Sequence, residues 1–223
     1  MNRLKGLSFP RRNVNGGAVF YYLTLGILIF LCVGIFLFVI LNMNQEPELV
    51  DSRTRYMGAV DELTARGVIV GYTDGSFQAD KPISYEEFIK MCVTVHFPDT
   101  SPSESGYWVT PFYEIGLKEG YFNKDQVDET LFKADLERIN MAFILGNMLD
   151  VPITPELLTA YRYVDVDGDS AKGIALAKAT HAGVVRGYSD NSFRPYDTVT
   201  RADVVMALHR YIAYMERDPE TDS

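Results

Sequence analysis

Arg201 stands directly after Thr200 and two residues before Asp203, at the start of the apolar run "TRADVVMAL". Thr-x-x-Asp before such a run is a capping-box pattern, with Asp as a shorter substitute for the usual Glu. A guanidinium placed there suits a carboxylate or phosphate. It offers a bidentate fork, and a helix start adds amides and the positive end of the helix dipole. Thr200 and Asp203 cap the helix without help from Arg201, so Arg201→Ala is expected to weaken anion binding and leave the fold nearly unchanged. A surface ion pair to an acidic neighbour accounts for the same residue on structural grounds alone. Upstream, Gly187, Tyr188 and Asp190 belong to the turn-rich "GYSDNSF". Trp108, the sole tryptophan, fits either a core position or a stacking platform.

Other chemistries find little in the chain. "DVDGDS" (165–170) alternates Asp165, Asp167 and Asp169 as a calcium loop does, but its sixth position is Ser170 and its twelfth Leu176. A calcium loop of that type needs Gly and Glu there, so no metal is expected. His96, His181 and His209 have no metal-binding spacing, and neither a G-x-S-x-G elbow nor a phosphate-cradling Gly-x-x-x-x-Gly-Lys loop occurs. The chain is read as non-catalytic and without a cofactor.

The elements that hold these residues come from an internal repeat. "GYTDGSFQADKPISYEEFI" (71–89) aligns without a gap on "GYSDNSFRPYDTVTRADVV" (187–205). Gly67, Gly120 and Gly183 each follow a run with helical apolar spacing, marked by Val60 and Leu63, by Phe112, Ile115 and Leu117, and by Ile174, Leu176 and Ala179. A glycine after such a run is the usual left-handed helix stop. In units one and three the following 17 residues end at Ser84 and Thr200, each with an acid three positions on. Gly75 in one loop corresponds to Asn191 in the other, a swap that preserves a need for positive φ. Tyr72, Tyr188, Phe77 and Phe193 are read first as packing for these loops. Each unit is therefore a helix, a glycine stop, a turn-rich loop and a capped helix. The middle unit keeps its helices, and its loop reads as about five residues shorter. No disulfide framework is present, with Cys32 and Cys92 alone, so the three units are expected to share one core.

Residues 18–41 are apolar and uncharged. At ~1.5 Å per residue they form a helix of about 36 Å, enough to cross a ~30 Å hydrocarbon core. Arg3, Lys5, Arg11 and Arg12 precede it without an acid, whereas Glu46, Glu48 and Asp51 follow. The positive-inside bias places residues 1–17 in the cytoplasm and the remainder outside, behind an uncleaved single-pass anchor in the lipid bilayer. The linker 42–54 reaches about 45 Å at most, at ~3.4 Å per residue. A formal net charge of −9, with the cationic leader included, argues against nucleic acid as a partner.

Together these elements resemble the S-layer homology family. Its repeat runs Phe-x-Asp-Val, a Trp-led helix, a Gly stop, Gly-Tyr-x-Asp-Gly-Thr-Phe, and Thr-Arg-Ala-Glu opening a second helix. Unit three matches as "YVDV", Gly183, "GYSDNSF" and "TRAD"; unit one matches as Gly67, "GYTDGSF" and "SYEE". The middle unit supplies Trp108 twelve residues before Gly120, preceded by "FPD" at 97–99. The resemblance implies an all-α fold with three repeats packed in pseudo-threefold symmetry, at 55–96, 97–150 and 161–215, and an acidic tail at 216–223. It also implies noncovalent binding of secondary cell-wall polysaccharide, often pyruvylated, in grooves between repeats. The family's arginine falls on Tyr85, Lys133 and Arg201, and its tryptophan on Arg55, Trp108 and Ala171. A single groove is therefore expected to bind, built from Arg201 with Thr200, Asp203, Gly187, Tyr188 and Asp190, with Trp108 and Lys133 as further candidates. Two functions follow. One is a wall binder that couples membrane to envelope; the other is an accessory subunit of a membrane protein complex.

Overall fold

The computed structural model describes residues 52–217. The expected span at 18–41, its leader, most of the linker and the end of the tail lie outside the described residues. Among the described residues, no helix is long and apolar enough to cross a membrane. They form α1 (Ser52–Ala65), α2 (Tyr85–His96), α3 (Thr110–Lys118), α4 (Arg138–Met148), the short α5 (Pro155–Thr159), α6 (Ala171–His181) and α7 (Arg201–Met215). A 3₁₀ turn spans Glu129–Leu131, and pairing of extended backbone is limited to three isolated bridges. The all-α expectation holds for this part of the chain.

Each first helix ends for the same reason. Gly67, Gly120 and Gly183 have φ of +70°, +74° and +70°. The amide after each donates back to the sixth residue of a closing turn: Val68 to Leu63, Tyr121 to Gly116 and Val184 to Ala179, all at 2.9 Å. That is a Schellman stop. A Cβ at any of the three would meet nothing within 4 Å, so the backbone conformation alone asks for glycine. The second helices of units one and three begin with reciprocal capping boxes, Ser84 with Glu87 and Thr200 with Asp203.

The middle unit corrects one expectation. Its second helix begins at Arg138, with Glu137 at the cap and no side-chain capping bond. Gly120 to Glu137 is then 17 residues, the same interval as Gly67 to Ser84 and Gly183 to Thr200. The loop is not shorter. Lys133-Ala134-Asp135 imitates Arg201-Ala202-Asp203 in sequence, which shifts the apparent helix start by five residues. In the fold, residues 132–134 lie before the helix. What does change is the loop's content: the Gly-Tyr-x-Asp-x-Ser-Phe pattern is gone and the 3₁₀ turn takes part of its place.

At the centre, three extended residues close a ring. Ile83 N–H donates to the Val199 carbonyl at 3.3 Å, Val199 N–H to Leu136 at 3.0 Å, and Leu136 N–H to Ile83 at 2.9 Å. All three side chains are fully buried. Each residue lies one position before the cap of its own unit, so every unit bonds both others. Elsewhere α4 and α6 approach closely at Gly146, where a Cβ would lie 2.1 Å from the Ala175 carbonyl oxygen.

Candidate functional site

The starts of the second helices are where an anion was expected, and their amides are already used. In α7, Arg201 N–H donates to the Lys81 carbonyl (2.9 Å), Ala202 N–H to Ala79 (3.0 Å) and Asp203 N–H to Thr200 Oγ1 (3.3 Å). In α4, Arg138 N–H donates to Asp197 and Ile139 N–H to Pro195; in α2, Tyr85 N–H donates to Ala134 and Glu86 N–H to Phe132. The loop of one unit therefore satisfies the helix start of another. These amides hold the units together, and Thr200 and Asp203 cap α7.

The arginines follow the same crossed pattern. Arg201 is 5% exposed. Its Nε donates to the Phe77 carbonyl at 3.1 Å and its Nη2 to the Val70 carbonyl at 3.2 Å. Its guanidinium lies 5.0 Å from the Tyr72 ring centroid and 4.9 Å from that of Phe77. Arg138 repeats each contact one unit away. Nε donates to Phe193 and Nη2 to Arg186, both at 3.0 Å, and the guanidinium sits over the Tyr188 and Phe193 rings at 5.4 and 4.6 Å. The two loops that keep the Gly-Tyr-x-Asp-x-Ser-Phe pattern are each clasped by an arginine from another unit. Tyr85, the third member of the set, takes the Asn140 amide as a hydrogen-bond donor instead, at 2.6 Å. Burial, reinforced by the Glu137 charge, pushes its phenol up to about 12.

Two expectations are thereby corrected. Arg201 does not share a site with Gly187, Tyr188 and Asp190, which belong to the loop that Arg138 clasps. Lys133 is not the arginine equivalent; it lies five residues before Arg138, with its ammonium 5.8 Å above the Tyr107 ring. Gly187 is glycine because the Tyr163 ring occupies the place of a Cβ, 2.1 Å away. Asp190 accepts from the amide and hydroxyl of Ser192 at 2.9 and 2.6 Å, and these bonds hold its carboxyl below the usual range. Asp74 does the same with Ser76. Both aspartates are loop clips. Asp165, first of the alternating acids, accepts from the Phe193 and Arg194 amides at 2.8 Å each.

One groove does gather ligand-type groups from all three units. It encloses about 330 Å³ and is lined by Gly71 and Tyr72 of the first loop, Glu87 and Lys90 of α2, Trp108 at the start of the middle unit, and Arg201 of α7. Trp108 is partly buried and meets Phe112 at 6.4 Å between ring centroids, so it serves the core and the groove at once. Glu87 uses one oxygen in its capping box, and the other lies 3.9 Å from Arg201 Nη1. Lys90 is partly buried and makes no salt bridge among the described residues. Burial, then the nearby Arg201 charge, lowers the pKa of its ammonium, with Glu87 acting in the opposite sense. Two cations against one carboxylate leave this groove with a formal charge of +1.

The corresponding groove of the middle unit differs in kind. About 530 Å³ in size, it is lined by Phe122, Phe143, Ile153 and Ile174 beside the amides of Asn123, Gln126 and Asn147, with Ala171 where the first groove has Trp108 and with Lys178 as its cation. The sequence reading missed Lys90 and Arg138. Arg138 was reachable by aligning the buried Leu136 with Ile83 and Val199, the residues just before the caps. Lys90 carries no such signal, because a lysine at the sixth position of an amphipathic helix looks like an ordinary solvated charge.

No curated protein matches the chain. A family model described as the S-layer homology domain matches residues 50–89 and 162–205. Those segments contain both clasped loops and both capping boxes, whereas the middle unit falls outside the match. The chain thus carries the S-layer homology repeat at residues 50–89 and 162–205.

Proposed function

We propose that this protein is a non-catalytic, single-pass membrane protein whose extracytoplasmic module, three units in pseudo-threefold arrangement, binds acidic cell-wall polysaccharide and links membrane to envelope. S-layer homology domains generally bind cell-wall polysaccharide and anchor proteins to the envelope. The observation that carries the reading is the 330 Å³ groove, where an aromatic plate (Trp108), a second ring (Tyr72) and two cations (Lys90, Arg201) face one space. A sugar presents an apolar ring face and a polar rim, and an acidic substituent adds charge. Trp108 and Tyr72 suit the first, and the Lys90 ammonium suits the last. The membrane anchor rests on the uncharged segment 18–41 and its basic leader.

The test is co-sedimentation of the full chain, in mild detergent, with purified cell walls. Lys90→Met removes a charge-assisted contact of ~1.5–3 kcal/mol, a roughly 10- to 150-fold loss of affinity. Trp108→Ala should also reduce retention, whereas Lys118→Ala, at an exposed position away from the groove, should not. Retention of Lys90→Met and Trp108→Ala at the wild-type level would remove this groove as the site.

A second reading has its own observation. The middle groove is larger, and Ile153 on its rim is 58% exposed, an apolar contact that suits a protein surface. On this reading the module is an accessory subunit of a membrane complex. A protein that co-purifies with the wild type in mild detergent and is lost with Ile153→Asp would favour it.

A further inference from the structure

A separate cavity of about 350 Å³ lies against the third unit, within the ~300–1,000 Å³ range of small-ligand pockets. It is lined by Leu157, Ala160 and Ala177 together with the rings of Tyr161, Tyr163 and Tyr188. Leu157 belongs to α5, and Ala160 and Tyr161 follow it directly. These three lie outside both segments matched by the family model. Part of the cavity's lining thus comes from the stretch between the middle and third units.

The walls are set before any ligand arrives. Tyr161 Oη donates to the Val166 carbonyl at 3.0 Å, and its ring meets Tyr163 edge-on at 5.5 Å. Tyr163 Oη accepts from the Gly187 amide at 3.0 Å. The Tyr188 ring carries the Arg194 guanidinium at 3.8 Å and that of Arg138 at 5.4 Å. Rings already fixed in this way cost little entropy to bind against. The polar part of the lining is Arg162, Thr180, His181 and Asn191. Although the chain has 30 acidic residues, none of those lining this cavity is a carboxylate. An apolar and aromatic lining with an arginine and no carboxylate complements a ring that has an apolar face, hydroxyls and a negative charge.

We propose that this cavity is a second glycan subsite, distinct from the Trp108 groove, and that it takes a pyranose bearing an anionic substituent. The choice of a sugar over other anionic rings rests on the wall-binding reading above. The two sites carry separate reporters. Trp108, the sole tryptophan, lines only the first groove, and Tyr161, Tyr163 and Tyr188 line only the second.

The experiment titrates the full chain, in detergent micelles with isotope-labelled tyrosine rings, with methyl glucuronide and methyl glucoside. The glucuronide should shift the resonances of the three tyrosines saturably and bind about tenfold more tightly than the glucoside, the scale of one charge-assisted contact. Arg162→Gln should abolish that preference. Ala160→Phe should abolish the shifts, because it fills the cavity from an exposed position and so spares the fold. Equal binding of the two sugars, silent tyrosines, or undiminished shifts in Ala160→Phe would each overturn the proposal. Silent tyrosines while wall fragments still change Trp108 fluorescence would sink this subsite and leave wall binding intact. Tyrosine shifts without any retention on walls would uphold the subsite and sink the wall-binding reading.

Discussion

Replacing Arg201 with alanine should destabilise the fold, and the size of the loss can be worked from its surroundings. The side chain is 5% exposed, its two donors reach the carbonyls of Phe77 and Val70, and its charged plane lies near two aromatic rings. A charge-assisted hydrogen bond is worth ~1.5–3 kcal/mol net, and a partly desolvated cation–π contact ~0.5–2 kcal/mol. Truncation also empties a packed volume and removes a donor from the carbonyl of the half-buried Phe77, while Val70, 65% exposed, regains water. Losses of this kind total about 3–5 kcal/mol. For a protein of this size that corresponds to a drop in Tm of roughly 10 °C. Arg201→Lys should fall between the two, since an ammonium cannot span both carbonyls. Arg138→Ala, at a less buried position, should cost about 1–3 kcal/mol. The assay is thermal melting of the full chain in mild detergent, followed by circular dichroism at 222 nm. An Arg201→Ala protein melting within ~2 °C of the wild type would refute the view that this guanidinium fastens the first unit to the third.

Three further outcomes follow from the structure. Gly146→Ala places a methyl 2.1 Å from the Ala175 carbonyl oxygen, and since backbone cannot yield as a side chain can, α4 and α6 must separate at a cost of ~3 kcal/mol or more; a urea midpoint unchanged from wild type would contradict that packing. Gly183, at φ +70° with open space around it, should lose ~1 kcal/mol on substitution by Ala and less by Asn, which tolerates the left-handed region; equal melting of the two variants would show that conformation is not what glycine supplies there. His96 donates to or accepts from Tyr211 Oη at 2.7 Å, and burial holds its imidazole below its ordinary range, with the Glu119 charge opposing. The unfolded chain therefore takes up the proton first, and stability should decline as pH falls below ~6.5. His96→Gln should flatten that slope in urea titrations between pH 5 and 8.

The local features were legible because they depend on a few neighbouring residues. Positive φ at Gly67, Gly120 and Gly183 follows from a glycine after an apolar helical run, and the same holds for the exchange of Gly75 for Asn191 in the loops. The reciprocal caps of Ser84 with Glu87 and Thr200 with Asp203 follow from a hydroxyl and an acid three residues apart. Helical content and the repeat itself rest on the same short-range rules. The partners of Arg201 were not legible. Its sequence neighbours suggested an anion at a helix start, but the amides there are taken by residues 79 and 81, more than a hundred positions away. The crossing of loops and helices between units decides which arginine clasps which loop, and nothing in a 20-residue window encodes it. The same crossing brings Tyr72, Lys90, Trp108 and Arg201 into one groove from three separate units. The starting point of α4 shows the limit from the other side: Lys133-Ala134-Asp135 has the local look of a helix start. The closed hydrogen-bond ring of Ile83, Leu136 and Val199 places that start at Arg138, because only that register buries Leu136 at the centre.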